Sequence, residues 1–106
     1  MKVFSILISG VGGQGVLMAG GVIAQAALLS GLDVKQSDIH GMAQRGGSVT
    51  SHIRFGEEVF SPTISAGGCD LIVGFEPLEA ARALHYLKPD GIVVSNTHRI
   101  ITLTVA

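Results

Sequence analysis

Charge is scarce in this chain of 106 residues. Only 14% of the residues are Asp, Glu, Lys or Arg, and the formal net charge is -1, whereas a typical soluble domain is roughly 25% charged. No run of Lys or Arg is present, so nothing favours nucleic acid or an anionic membrane as a partner. Hydrophobic residues make up 47% of this short chain. We therefore expect partner subunits or further polypeptide to cover much of its surface.

Cysteine is nearly absent, since Cys69 is the single one. The chain therefore forms no internal disulfide and has no Cys-x-x-Cys pair for zinc or an iron–sulfur cluster. Cys69 begins the apolar run CDLIVGF, which indicates a buried small hydrophobic residue rather than a reactive thiol. The cysteine usage favours a cytoplasmic location. The apolar stretch 16–29 is too short to span a bilayer.

The N-terminal third predicts a strand and then a helix. Val3 to Ser9 is an apolar run typical of a buried parallel strand. A helical pattern follows from Gln14 or Gly15 to Ser30, and Gly31 is a natural stop. Gln25 is the only large polar side chain of this helix. A helix that is apolar all round is normally buried all round, so we expect another layer on its far side.

The next segment departs from a doubly wound pattern. Leu32 to Asp38 predicts a second strand, but IHGMAQRGG lacks the stripe of a crossover helix. Ser48 to Phe55 alternates and predicts a half-exposed strand, with Glu58 to Ser61 pairing back as a hairpin. The fold class predicted is α/β, with a Rossmann-like, mostly parallel sheet and flanking helices. In this fold the inserted β-hairpin takes the place of one crossover helix.

The C-terminal third predicts two more apolar strands, CDLIVGF and IVVSN, joined by the helix EPLEAARALHYL and a turn over 88–91. The helix pattern places Leu78, Ala81 and Leu84 on one face. Glu76 and Glu79 lie near the positive end of its dipole, and we interpret them as helix-cap charges rather than acid/base catalysts.

The segment GVGGQG at 10–15 has the glycine spacing of a dinucleotide-binding turn, after a strand and before a helix. Val16 and Leu17 stand where a P-loop needs Lys and Ser or Thr, which argues against an ATPase or GTPase. A dinucleotide site also needs a carboxylate at the tip of the second strand. Asp33 lies at the start of the predicted second strand, which is the wrong end. Asp38 lies at the correct end but slightly later in the sequence than the motif requires. The turn is therefore either a tight connection or a site for a dinucleotide or another ligand.

The segment HGMAQRGG at 40–47 combines a titratable group, an amide and a fixed cation, namely His40, Gln44 and Arg45. It follows the carboxyl end of a predicted parallel strand, where α/β proteins place their ligands. The same residues also suit a glycine-rich connection with a solvated Arg45. His40 and His52 lack metal-ligand spacing, so no metal site is predicted. No catalytic residue is predicted, because no nucleophile has a recognisable elbow.

Together, GVGGQGV, HGMAQRGGSVTSHIRFG and SPTISAGGCDLIVGFEPLEAAR resemble the gamma-type subunit or domain of 2-oxoacid (pyruvate/2-ketoisovalerate):ferredoxin oxidoreductases. The sequence is most similar to the beta subunits of indolepyruvate ferredoxin oxidoreductases. The resemblance extends from Gly10 to Asn96. Because chains of this family continue well beyond this length, we expect residues 1–106 to be the N-terminal portion of a single gamma-type domain, truncated at its end.

The resemblance implies a non-autonomous subunit of an oxidoreductase. The holoenzyme oxidatively decarboxylates a 2-oxoacid, forms acyl-CoA and reduces ferredoxin. Thiamine diphosphate and iron–sulfur clusters are held mainly by partner subunits, and coenzyme A acts in the complex. The residues that match the family's two loops are Gly12, Gly13, Gln14, Gly15, His40, Gln44, Arg45 and Gly46. We expect these loops to face the thiamine or coenzyme A cavity. A self-contained NAD(P)-, FAD- or nucleotide-binding Rossmann-like module is the alternative.

Overall fold

A five-stranded sheet organises the part of the chain that the computed structural model describes, residues 3–12, 15–40 and 47–97. The elements in chain order are β1 (Phe4–Val11), α1 (Val16–Leu29), β2 (Asp33–His40), β3 (Ser48–Gly56), β4 (Cys69–Gly74), α2 (Pro77–Arg82), a 3-10 turn (Leu84–Tyr86) and β5 (Leu87–Ser95). The spatial order of the strands is β2-β3-β1-β4-β5.

Strand direction follows from the ladders. β4 is parallel to both β1 and β5, whereas β3 is antiparallel to both β1 and β2. Consequently β1, β2, β4 and β5 run in one direction and β3 opposes them. The predicted α/β sheet with a hairpin in place of a crossover helix is confirmed, but the hairpin consists of β2 and β3. The carboxyl ends of β1, β2 and β4 therefore lie at one edge of the sheet.

The predicted strand at Glu58–Ser61 is wrong, because both edges of β3 are already occupied by β1 and β2. Residues 57–68, here called the strap, contain no strand. Backbone N–H groups of the strap donate hydrogen bonds to side chains of the sheet instead. The backbone N–H of Val59 donates to Asp33 Oδ2 at 2.8 Å, and that of Ile64 donates to His52 Nδ1 at 3.2 Å. β3 is mostly buried rather than half-exposed, since α1 packs on one face and the strap on the other.

The sheet has a separate core on each face. On one face, Ile6, Ile8 and Ile53 pack against α1. On the other face, Leu7, Cys69 and Ile72 pack against Ile64 of the strap and Ala83, which follows α2. Cys69 is fully buried and burial raises the pKa of its thiol. The interpretation of this cysteine as a buried hydrophobic residue is confirmed.

Helix α2 is shorter than predicted and packs through a different face. It ends at Arg82, and its buried residues are Glu79 and Ala80, with Ala83 buried just after it, while Leu84 is 49% exposed. The reason is the close approach at Gly74, where an added Cβ would lie 2.5 Å from that of Ala80. Small residues therefore face the sheet. The turn predicted at 88–91 instead lies inside β5, where the register with β4 shifts.

Helix α1 covers one face of the sheet but leaves its own outer side bare. Met18, Val22 and Leu29 are 76%, 64% and 78% exposed. No element of the described residues packs on this side, in contrast to the expectation of a helix buried all round. Burying such side chains is worth about 1.5–3 kcal/mol each, so this surface favours association. Neither described helix has the length and apolarity needed to cross a membrane.

We predict opposite effects for alanine at two neighbouring glycines of α1. A Cβ at Gly20 would lie 2.4 Å from the buried Ser51 Oγ, whereas a Cβ at Gly21 meets nothing within 4 Å. Gly20→Ala should therefore destabilise by about 1–3 kcal/mol through overpacking. Gly21→Ala should stabilise by about 0.5–1 kcal/mol through helix propensity. Urea unfolding measures both, and equal shifts would mean that α1 does not approach β3 this closely.

We predict that stability falls as the pH drops below about 6.5. His52 is fully buried beside the Tyr86 ring, and burial lowers the pKa of His52 below the ordinary value of 6.5, partly opposed by the Asp38 carboxylate. The unfolded chain then binds a proton that the folded chain does not, so the free energy of unfolding decreases as acid is added. Urea unfolding between about pH 8 and pH 5 measures this slope.

His52→Gln is the matched variant for this titration. Its amide oxygen keeps an acceptor for the Ile64 N–H but does not titrate. The pH slope should flatten in this variant. An unchanged slope would assign the pH dependence to another group.

Candidate functional site

At the carboxyl ends of the strands, Gly12 after β1 contacts Gly47, which immediately precedes β3. β1 ends at Val11, and α1 begins at Val16 after Gly15, which has φ of 83°. The backbone N–H of Gly12 donates to the carbonyl of Gly47 at 3.0 Å, just before β3. The glycine turn is therefore tied to the far end of the second loop by a backbone hydrogen bond.

An open cleft of about 260 Å³ lies at this junction. Its lining is formed by the glycine turn, the first turn of α1, and residues of β2 and β3, namely Gly12, Gly15, Val16, Met18, His40 and Val49. Most of these side chains are apolar. The first intrahelical bond runs from the Ala19 N–H to the Gly15 carbonyl, so the N–H groups before Ala19 carry the positive end of the helix dipole.

His40 reaches this cleft through the register of the sheet. It ends β2 opposite Val49, and Val49 lies opposite Gly10 of β1. β3 thus bridges the glycine turn and His40, which are not on adjacent strands. Of the predicted site residues, Gly12, Gly15 and His40 line one cleft. Gly13, Gln14, Gln44, Arg45 and Gly46 lie outside the described residues.

A polar cluster that the sequence did not predict lies beside the cleft. The buried Ser51 Oγ donates to Asp38 Oδ1 at 2.7 Å, and Gln36 Nε2 donates to the same oxygen at 3.2 Å. Gly20 of α1 lies directly over Ser51. The alternation of polar residues along β2 is a signal for this cluster, but its pairing with β3 fixes the contact. The cluster holds α1, β2 and β3 together below the cleft.

This arrangement differs from a dinucleotide-binding unit. In that unit the first two strands are parallel neighbours with a carboxylate at the tip of the second. Here β3 separates β1 from β2 and runs against both. The carboxylate of Asp38 accepts hydrogen bonds from Ser51 and Gln36. The geometry therefore gives no support to the alternative of a Rossmann-like nucleotide module.

The two glutamates of the C-terminal third lie on the other face of the sheet. Glu76 caps α2, its Oε1 accepting from the Glu79 N–H at 2.9 Å. Burial raises the pKa of Glu79, and Arg82 at 3.3 Å opposes this rise. The interpretation of Glu76 as a cap is confirmed, and Glu79 makes a local ion pair with the end of the same helix.

Helices α1 and α2 lie on opposite faces of the sheet. After β1 the chain passes to the face covered by α1, and after the neighbouring strand β4 it passes to the face covered by α2. The Phe75 N–H donates to the Ser9 carbonyl at 2.8 Å and closes the base of this split. In open α/β sheets such a split next to the carboxyl ends is where ligands bind.

Comparison with known proteins agrees with this architecture. The profile of the pyruvate ferredoxin/flavodoxin oxidoreductase family matches residues 5–104. The chain belongs to this family. The resemblance identified in the sequence is thereby confirmed.

The relatives include subunits of two related oxidoreductases. The chain is 44% identical over 106 residues to indolepyruvate oxidoreductase subunit IorB of Thermococcus kodakarensis. This match covers 100% of the chain and 52% of the relative. It is 34% identical over 92 residues to the pyruvate/ketoisovalerate oxidoreductases common subunit gamma of Pyrococcus abyssi, covering 85% and 50%. The chain thus spans about half the length of the curated relatives it matches.

A solved structure shows the same fold. The crystal structure of pyruvate oxidoreductase subunit PORC from Thermotoga maritima superposes with a TM-score of 0.74 at 29% identity. The match covers 94% of this chain and 53% of that one. The overall fold of this chain is therefore shared with part of an oxidoreductase subunit.

We predict that the glycine turn depends on Gly15 and not on Gly12. Gly15 has φ of 83° with open space around it, so alanine there meets backbone strain alone. Gly15→Ala should cost about 1–2 kcal/mol. A Cβ at Gly12 meets its nearest atom at 3.8 Å, so Gly12→Ala should stay within about 0.5 kcal/mol of the parent. Thermal unfolding of both variants checks this, and a larger cost at Gly12 would contradict the geometry of the turn.

Proposed function

We propose that this chain forms part of a subunit of a 2-oxoacid:ferredoxin oxidoreductase. The observation that carries this is the family match over residues 5–104. In the reaction, R–CO–COO⁻ and coenzyme A give R–CO–S–CoA, CO₂, one proton and two electrons, and the electrons pass to ferredoxin. The chain contributes to this chemistry only within the assembled complex. Residues 1–106 make up the N-terminal portion of one gamma-type domain.

The redox centres of such a complex belong to partner subunits. Iron–sulfur clusters are held by sets of cysteine thiolates, whereas this chain has one cysteine. Cys69 is fully buried and its Sγ donates to the Leu71 carbonyl at 3.1 Å. The residues of this chain therefore do not fit a cluster, and no electron-transfer step is assigned to it.

The bare outer side of α1 is the surface proposed to meet the partner that holds thiamine and iron–sulfur cofactors. Met18 and Val22 are 76% and 64% exposed, and the helix has no charged residue. Obligate interfaces are more hydrophobic than the rest of a protein surface. Met18 also lines the cleft. Docking at α1 would therefore place the partner next to the glycine turn and His40.

The two loops are proposed to line a cofactor cavity shared with that partner. Gly12, Gly13, Gln14 and Gly15 form the first loop, and His40, Gln44, Arg45 and Gly46 belong to the second. Helix N-terminal N–H groups and a guanidinium both suit an anionic oxygen, so phosphate groups of coenzyme A or thiamine diphosphate, or a substrate carboxylate, are the groups they would hold. When bound, thiamine diphosphate supplies carbanion stabilisation. This chain orients and neutralises anionic groups.

An aryl pyruvate is the proposed substrate. Its support is the 44% identity to a subunit named for indolepyruvate, compared with 34% to a subunit named for pyruvate and ketoisovalerate. The described cleft is mostly apolar and has no acidic side chain in its lining. Such a wall suits an aromatic substrate or the neutral arm of coenzyme A.

Assembly tests the partner surface. We expect this chain to co-purify with the thiamine- and iron–sulfur-containing subunit, and Val22→Lys to weaken that association at least tenfold by burying a charge. Ala81→Lys is the matched control, because Ala81 is exposed on α2 at the opposite face. Loss of binding in both variants would assign the effect to misfolding. Undiminished binding of Val22→Lys would remove α1 from the interface.

Kinetics of the reconstituted complex tests the second loop. Arg45→Ala should lower kcat/KM for coenzyme A or the 2-oxoacid about tenfold or more, since a charge-assisted hydrogen bond is worth about 1.5–3 kcal/mol. Lys35→Ala removes an exposed cation paired with Asp33 near the opposite end of β2 and should leave kcat/KM unchanged. Unchanged constants in Arg45→Ala would make this residue structural. Micromolar binding of NAD or FAD to the isolated chain in calorimetry would favour the nucleotide module instead.

A further inference from the structure

A second apolar surface lies on the sheet itself, beyond the reach of α1. In β5, Ile92 and Val94 lie opposite Leu71 and Val73 of β4. Leu71 and Val73 in turn lie opposite Ile6 and Ile8, which face α1. Neighbours in register point to the same face of a sheet. These four residues, Leu71, Val73, Ile92 and Val94, therefore form a strip on the α1 face, here called the β4–β5 strip.

The outer half of the β4–β5 strip has no cover among the described residues. Helix α1 packs on β1, β2 and β3, and α2 packs on the other face. Ile92 is 62% exposed and Val94 is 57% exposed. The strip contains no charged side chain. Parallel strands are normally buried on both faces, and the second half of β5 is apolar on both, with Ile92 and Val94 on the α1 side and Val93 on the α2 side. The strand is thus built for a layer that this part of the chain does not supply.

The outer edge of the sheet, at β5, is also uncovered in the described residues. In the described residues β5 pairs only with β4, so its outer edge carries no ladder. An open edge of a parallel sheet is a template for a further strand. A helix packed on the β4–β5 strip and a strand paired with the outer edge of β5 would together extend the same sheet. Such an occupant is a further α/β unit and not a protein that only touches the surface.

Chain length identifies the occupant. The matched part covers 52% of the indolepyruvate relative, 50% of the pyruvate/ketoisovalerate relative and 53% of the solved pyruvate oxidoreductase subunit. About half of each of these proteins therefore has no counterpart in this match. We propose that the β4–β5 strip and the outer edge of β5 dock polypeptide corresponding to that other half. The inference rests on family membership, burial and length, and does not depend on the proposed activity.

Thiol labelling tests the proposal directly, because the native Cys69 is fully buried. Single variants Ile92→Cys and Val94→Cys would be labelled with a maleimide in two settings. One is this chain alone, and the other is this chain fused to the unmatched half of the Thermococcus kodakarensis relative. We expect labelling to slow at least tenfold in the fusion. Val22→Cys, with similar exposure on α1, is the control and should react equally in both.

Two further measurements keep the result decisive. If the fusion does not fold, the same half is co-expressed as a separate polypeptide, and maleimide labelling of the two cysteine variants is measured in that complex. If Ile92→Cys and Val94→Cys react at the parent rate in both formats, the proposal is overturned. Sedimentation of this chain alone tests a second copy as the occupant, since a dimer that Ile92→Lys abolishes would also overturn it. Protection at Ile92 with no effect of Val22→Lys on partner binding would overturn only the proposed assembly.

Discussion

The antiparallel strand β3 is the constraint on which the rest of the structure depends. It takes the place that a crossover helix would fill and pairs with β1 on one edge and β2 on the other. Because both edges of β3 are occupied, the strap cannot pair with β3 and packs on a face of the sheet instead. The same ladder carries Ser51 to Asp38 and holds His40 opposite Val49. Core, strap and cleft therefore follow from one insertion.

The cleft at the carboxyl edge shows how a familiar glycine turn changes its meaning with context. The turn itself has the backbone freedom and helix dipole of an anion site. With β3 beside it, the neighbour of the turn among the described residues is Gly47, and not the acidic tip of a parallel strand. The Gly12 to Gly47 hydrogen bond joins these two loops. The described part of this surface therefore does not have the layout of a complete nucleotide pocket.

Several features were predictable because they depend on local chemistry. The apolar runs around Leu7 and Ile72 gave strands, and Glu76 before Pro77 gave a helix cap. Other expectations were wrong for tertiary reasons. The helical stripe of α2 pointed to Leu84, yet the close approach at Gly74 selects Ala80 for the buried side. Strand pairing between β2 and β3 could not be predicted, because alternation marks a strand without naming its neighbour.

By itself, the sequence determined the α/β class, the isolated thiol, the low charge and the two loops that mark the family, because these depend on residue type and order. The tertiary structure decided which residues meet. It placed His40 beside the glycine turn across β3 and buried His52 under the strap. It also left the outer side of α1 and the β4–β5 strip uncovered in the described residues. Such contacts depend on strand order and register, which link residues far apart in the chain.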